Sequence, residues 1–287
     1  MTALRDLLVD PFRPPFMQRA LLEVLLLSIP AGLLGAWVVT RRLAFLTHAL
    51  GHATFPALVI AVIAGWSLFG AALVASVLLA LGLSWLAERP ELADGVAVAV
   101  VLSAALALGS VLVSDVVAAG VRTNALLFGS LLTVDNADLA RGAVVAVLAL
   151  AATAALGRRW AFVAFDRDVA RAAGLPVRTL DAMLMLLLAA SVAVAVSVVG
   201  SLMVSALFLI PSATARLVAR RVPALLVGGV ILAAADGVAG LWIAFRLDAP
   251  PGACIGVVSA GVFAVVAGAQ ALVAVARRGR LLGALPS

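Results

Sequence analysis

Apolar residues run in blocks of membrane-spanning length along nearly the whole chain, separated by short clusters of arginine, aspartate, glycine and proline. The blocks lie at 21–40, 43–66, 68–87, 93–113, 140–157, 182–199, 201–218, 224–245 and 252–276. Each is close to the ~20 residues an α-helix needs to cross a bilayer. Barrel strands would be shorter and would alternate in polarity. The pattern predicts an all-α polytopic membrane protein with eight to nine transmembrane helices. The block 201–218 stands apart because Pro211 and several serines and threonines interrupt it. Irregular backbone at that depth is tolerated only where protein or a cavity surrounds it. Segment 114–138 falls between spans, and its short apolar run Ala125–Leu132 reads as a re-entrant or surface helix.

No long linker or second domain interrupts the pattern. It predicts a juxtamembrane segment over 1–20, one transmembrane domain over 21–280 with a polar loop at 158–181, and a tail over 281–287. The first twenty residues carry Arg5, Asp6, Asp10, Arg13 and Arg19 with Pro14-Pro15, and the apolar stretch after them is too long for a signal-peptide core. It reads as a first span.

Composition sharpens this picture. Of 287 residues, 65% are hydrophobic and 12% charged, against about 25% charged in a typical soluble domain. All 20 basic residues are arginine. A P-loop needs a lysine at its phosphates, so a lysine-free chain carries no standard P-loop ATPase site, and an ATP-driven step would fall to another subunit. The arginines lie between apolar spans, which points to cytoplasmic loop charge and not to nucleic-acid binding. With 158–181 placed in the cytoplasm and nine spans, arginines divide about two to one in favour of the inside, with the C-terminus inside. The N-terminal arginines run against that balance. Cys254 is the only cysteine, so no intrachain disulfide can form.

The chemistry concentrates at the only two histidines, His48 and His52. They stand at i and i+4, so a helix puts both imidazoles on one face. Ionisable side chains inside a membrane mark function by default, and converging neutral imidazoles suit zinc. Two ligands make an incomplete structural site, which suits a transported ion that must also leave. A zinc-protease motif would need a glutamate after the first histidine, and residue 49 is alanine. Helix-interface histidines bonded to nearby backbone are the bland alternative.

Four further features stand out. The stretch from Phe165 through Asp166, Arg167 and Ala170 to Gly174 and Pro176 has charges at helical spacing and then a Gly–Pro stop. It is either a plain solvated loop or a short docking helix for a cytoplasmic partner. Gly200 to Ala215, with Ser205, Pro211 and Thr214, is either a kinked packing helix or one lining a pathway. Glu23 and Asp236 are isolated carboxylates in apolar blocks and are candidate additional metal contacts. Cys254 reads as a small buried residue and not as a ligand.

Together these features resemble the permease subunits of zinc and manganese ABC importers, the ABC-3 or ZnuB-like family. Phe16-Met17-Gln18-Arg19-Ala20-Leu21 looks like the family's opening, and Arg41-Arg42-Leu43-Ala44-Phe45 precedes the histidine segment as it does there. Phe165 through Ala170 and Gly174 resembles the motif that contacts the ATPase. Gly200 to Ala215 and Pro251-Gly252-Ala253 resemble two further family stretches. The family usually has aspartate and then histidine four residues on. Here His48 occupies the aspartate position, as in zinc permeases of the AztB type. Exchanging a hard carboxylate for imidazole shifts preference from manganese toward zinc.

The resemblance implies a type II ABC importer-like permease in the cell membrane and not an enzyme. It implies a homodimer, cytoplasmic ATPase subunits coupled through Asp166, Arg167, Ala170 and Gly174, and an extracytoplasmic zinc-binding protein. Zn2+ would be cargo, with no resident cofactor. The rival readings are a manganese or iron permease of the same family, a siderophore or cobalamin permease, and a stand-alone secondary transporter.

Overall fold

The computed structural model describes residues 10–86, 96–118, 134–201 and 203–282, and among these it is helical with no strand. A 3-10 turn, Asp10–Phe12, precedes α1 (Pro15–Thr40). There follow α2 (Ala44–Ala53), α3 (Phe55–Ala64), α4 (Leu68–Leu86), α5 (Val96–Ala118) and α6 (Asn136–Phe165). The chain continues through α7 (Arg167–Ala172), α8 (Val177–Val199), α9 (Val204–Val218), α10 (Val222–Leu247) and α11 (Pro251–Leu282). Within the described residues each apolar block falls mainly on helix, α2 and α3 sharing one. Six helical stretches of the described residues are long and apolar enough to cross a bilayer, one being Thr47–Ala64 across the α2–α3 junction. Leu68–Gly82, Val98–Val113 and Val204–Val218 are shorter apolar helices. At 1.5 Å per residue α9 is ~22 Å long, short of the ~30 Å hydrocarbon core. The run Ala125–Leu132 lies outside the described residues.

The helices overrun the apolar blocks, and the 158–181 loop contracts accordingly. Arg158 and Arg159 end the hydrophobic run but not the helix, because arginine is a good helix former and is favoured near a C-terminus. The stop comes at Asp166, whose backbone is extended and whose carboxylate caps α7. At the other end of α6 the Asp135 carboxylate accepts from the Asp138 N–H at 2.8 Å, and the Asp138 carboxylate accepts from the Asp135 N–H at 3.2 Å. This capping box satisfies orphan donors reciprocally, and the Asp138 N–H holds the Asp135 carboxyl below the usual carboxylate range.

Helix α1 is the hub, packed by α6, α9 and α10. Glu23 lies beside Gly142, and Trp37 beside Gly157 and Trp160, so α1 and α6 run in the same direction. Val24 meets Gly237 and Gly32 meets Val230, so α10 runs against them. The closest crossing is at Gly32 and Gly35. There the Ser212 hydroxyl on α9 donates to the Gly32 carbonyl at 3.3 Å. Small residues let backbones approach where lipid offers no hydrophobic drive to associate. By contrast, α11 is apolar but only 6% of its spanning window is buried. A surface of that kind needs lipid or protein against it.

Candidate metal site

The local sequence explains why a helix ends just after the second histidine. Pro56 has no N–H for the His52 carbonyl four residues back, and prolines in that position break helices. The chain bends at Thr54, whose N–H turns to the His52 carbonyl and whose hydroxyl donates to the Gly51 carbonyl at 2.7 Å. Helix α2 is therefore a short rod of 10 residues carrying both histidines on one face. Their ring centroids are 4.1 Å apart with planes at 40°. His52 is buried and His48 partly so.

The rod is seated against the start of α9. A Cβ on Gly51 would stand 3.2 Å from the Ser201 carbonyl oxygen. One turn back, His48 Nδ1 is 3.2 Å from the Ser205 hydroxyl. When the Nδ1–H donates to Ser205, Nε2 of His48 is left as the unprotonated, ligating nitrogen, the arrangement commonly found for metal-binding histidines. The Nδ1 of His52 is buried and makes no hydrogen bond of good geometry. The pair can thus offer one nitrogen each to a single ion.

The structure joins some of the sequence candidates and separates others. Ser205, read from sequence as part of a kinked packing helix or one lining a pathway, is the hydrogen-bond partner of His48. Pro211 and Thr214 are buried further along α9, and the Thr214 hydroxyl is taken by its own helix at the Ile210 carbonyl, 2.8 Å away. Glu23 is fully buried where α1 meets Gly142 of α6, with neither carboxylate oxygen hydrogen-bonded. Asp236 is buried on α10 and Cys254 on α11. Among the described residues no three His, Cys, Asp or Glu side chains gather as a metal cluster, so neither Glu23 nor Asp236 completes a three-ligand set with the histidines. Ser205→Ala should raise the metal concentration for half-maximal uptake about tenfold, the lower range for losing a group that orients a histidine ligand. An unchanged concentration dependence would show the contact to be idle.

The proposed docking segment lies at the opposite end of α6 from Glu23. The Asp166 carboxylate accepts from the N–H groups of Asp168 and Val169 at 2.9 and 3.0 Å. Ala170 is fully buried while Asp168, Val169 and Arg171 are exposed. Gly174 closes the turn at φ 78° with no atom near where a Cβ would sit, so its requirement is backbone conformation and not space.

These features are those of a polytopic helical membrane protein with a histidine pair on a candidate span and a short capped helix at one end. Residues 13–270 match the ABC 3 transport family, and the chain belongs to that family. It is 30% identical to the manganese transport system membrane protein MntC of Halalkalibacterium halodurans, over 87% of this chain and 86% of that one. It is 29% identical to a probable iron transport system membrane protein of Haemophilus influenzae, over 91% and 96%. Among solved structures it is similar to PsaBC from Streptococcus pneumoniae in complex with a Fab, with TM-score 0.80, 25% identity and coverage of 93% and 95%. A metal-chelate type ABC transporter in an inward-facing conformation shares the fold at TM-score 0.67, with 20% identity and coverage of 88% and 85%. The chain is a multi-pass transport permease of this family, and the two relatives above are named for manganese and iron.

Proposed function

We propose that this protein is the cell-membrane permease of an ATP-driven importer for a divalent transition metal, with zinc as preferred cargo. The observation that carries the reading is the pair His48 and His52, with ring centroids 4.1 Å apart on the candidate span Thr47–Ala64. Borderline-soft imidazole donors favour zinc over manganese, which prefers carboxylate and carbonyl oxygen. Two copies of the chain would bring two histidine pairs to a shared path and so make up the four ligands zinc favours. An extracytoplasmic binding protein would deliver the ion. Cytoplasmic ATPase subunits would act on α7 through the segment formed by Asp166, Arg167, Ala170 and Gly174, with the C-terminus on the same side. Alternating access follows when ATP binding stabilises one of two arrangements of the bundle.

The names of the relatives favour a second reading within the same class, manganese or iron as cargo. Competition uptake in vesicles containing the permease, its ATPase and its binding protein separates the two. Zinc should outcompete manganese and iron(II) in the wild type. His48→Asp should move the preference toward manganese by about tenfold, the scale of a difference of ~1.4 kcal/mol between ligand sets. An unchanged metal profile in that variant would place selectivity outside this pair.

A further inference from the structure

At the end of the bundle where α1 and α6 finish, one carboxylate joins three helices. Asp181, in the first turns of α8, accepts from Arg41 Nη1 at 2.5 Å on one oxygen and from Arg167 Nη2 at 2.6 Å on the other. Arg167 is the first residue of α7. Arg41 closes α1 and begins the turn into α2, where Arg42 has a left-handed backbone at φ 59° and the Leu43 N–H returns to the Val38 carbonyl at 2.9 Å. The Arg41 side chain is only 5% exposed and donates a second bond, at 3.3 Å, to the Trp160 carbonyl of α6. Trp160 is itself fixed, its indole N–H donating to the Leu180 carbonyl at 3.0 Å and its ring standing edge-on to Trp37.

The two arms of this link differ in kind. Arg41–Asp181 is largely buried, and removing one partner of a buried pair strands the other charge. Arg167–Asp181 is outer, with the Arg167 side chain 55% exposed, and an exposed pair contributes little to stability. Its consequence is geometric. It ties the exposed helix α7 to a residue that also grips the turn from which α2 starts, and His48 lies about 6 Å along α2 from its first residue.

We propose that Asp181 is a positioning residue that transmits displacement of α7 to the histidine-bearing helix α2 through Arg41. The proposal rests on the reading of α7 as the ATPase-docking element. A rigid buried joint (Arg41, Asp181, Trp160) and an exposed releasable arm (Arg167) are what such a transmission needs, since coupling between distant groups requires a physical element that both ends bias.

The test uses the complete permease–ATPase complex with its binding protein, in lipid vesicles. Spin labels at Phe45→Cys and Val218→Cys, in a Cys254→Ser background, report the distance between the start of α2 and the end of α9. Phe45 and Val218 are both exposed. The wild type should show a nucleotide-dependent change in that distance. Arg167→Gln should suppress it and lower metal taken up per ATP hydrolysed in the assembled complex by about fivefold or more. Arg167→Lys, which keeps the charge, should recover most of both. Asp181→Asn should be more severe, and if it fails to fold the exposed Arg167 variants still decide. The proposal is overturned by an unchanged distance response and unchanged uptake per ATP in Arg167→Gln. It is equally overturned by loss of complex assembly in that variant, which would make Arg167 a docking contact, or by a wild type whose distance ignores nucleotide. The distance readout needs no cargo, so failure of the metal assignment leaves it standing, and a wild type that imports metal without the distance change removes the link alone.

Discussion

His48→Ala and His52→Ala are each expected to abolish metal uptake while the protein still reaches the membrane at wild-type level. The rings stand 4.1 Å apart on one face of a single short helix, so in the proposed role they would act on one ion together and the loss of either would leave a single nitrogen. Removing a residue that merely orients a metal ligand lowers affinity or activity about 10–100-fold, and removing the ligand itself should exceed that. Neither side chain supports the fold through a network. His48 shares a hydrogen bond with one hydroxyl, and His52 Nδ1 has no well-formed bond to lose. Truncation should therefore separate function from folding. The measurement is isotope uptake alongside quantified membrane expression, and near-normal uptake in either variant would remove the pair as the transport site.

The second large effect concerns stability. Gly35→Val should prevent the bundle from assembling. A Cβ at residue 35 would stand 2.0 Å from the Phe208 carbonyl oxygen and 2.6 Å from the Ser212 hydroxyl. The nearer obstacle is backbone, so relief requires α1 and α9 to move apart. That separation would break the Ser212–Gly32 bond and disturb α10, which meets α1 at Gly32 and Val230. Overpacking in cores costs about 1–3 kcal/mol even when side chains can adjust, and the expected loss is at or above the top of that range. Gly268→Ala on α11, where a new Cβ meets nothing within 4 Å, is the matched control and should melt like wild type. Thermal unfolding of purified protein in detergent checks both, and a Gly35→Val protein as stable as the control would mean the crossing is looser than described.

Much of this was legible in the chain because the bilayer is a severe solvent. Each backbone polar group must be satisfied within its own segment, so apolar length alone placed the helices. Periodicity likewise put His48 and His52 on one face. The boundaries were less legible. Apolarity marks where lipid ends, whereas capping marks where a helix ends, and so α6 continues through Arg158 and Arg159 to the cap at Asp166. The prolines in the apolar blocks followed different rules. Pro56 ends α2, while Pro30 and Pro211 sit inside α1 and α9. Neighbouring helices can shelter the freed carbonyls in such positions.

The sequence by itself determined that this is an all-helical membrane permease, without lysine for a P-loop, carrying one pair of ligand-type imidazoles. Only the tertiary structure decided which partners those residues have. It set Ser205 against His48 from 157 positions away and Asp181 between Arg41 and Arg167, and it sealed Glu23 under Gly142, apart from any three-ligand cluster among the described residues. The physical reason is one of range. Helix formation and membrane insertion depend on residues within a turn or a span of one another. Contacts between helices depend on crossings fixed by glycines such as Gly32 and Gly35, whose partners lie far along the chain.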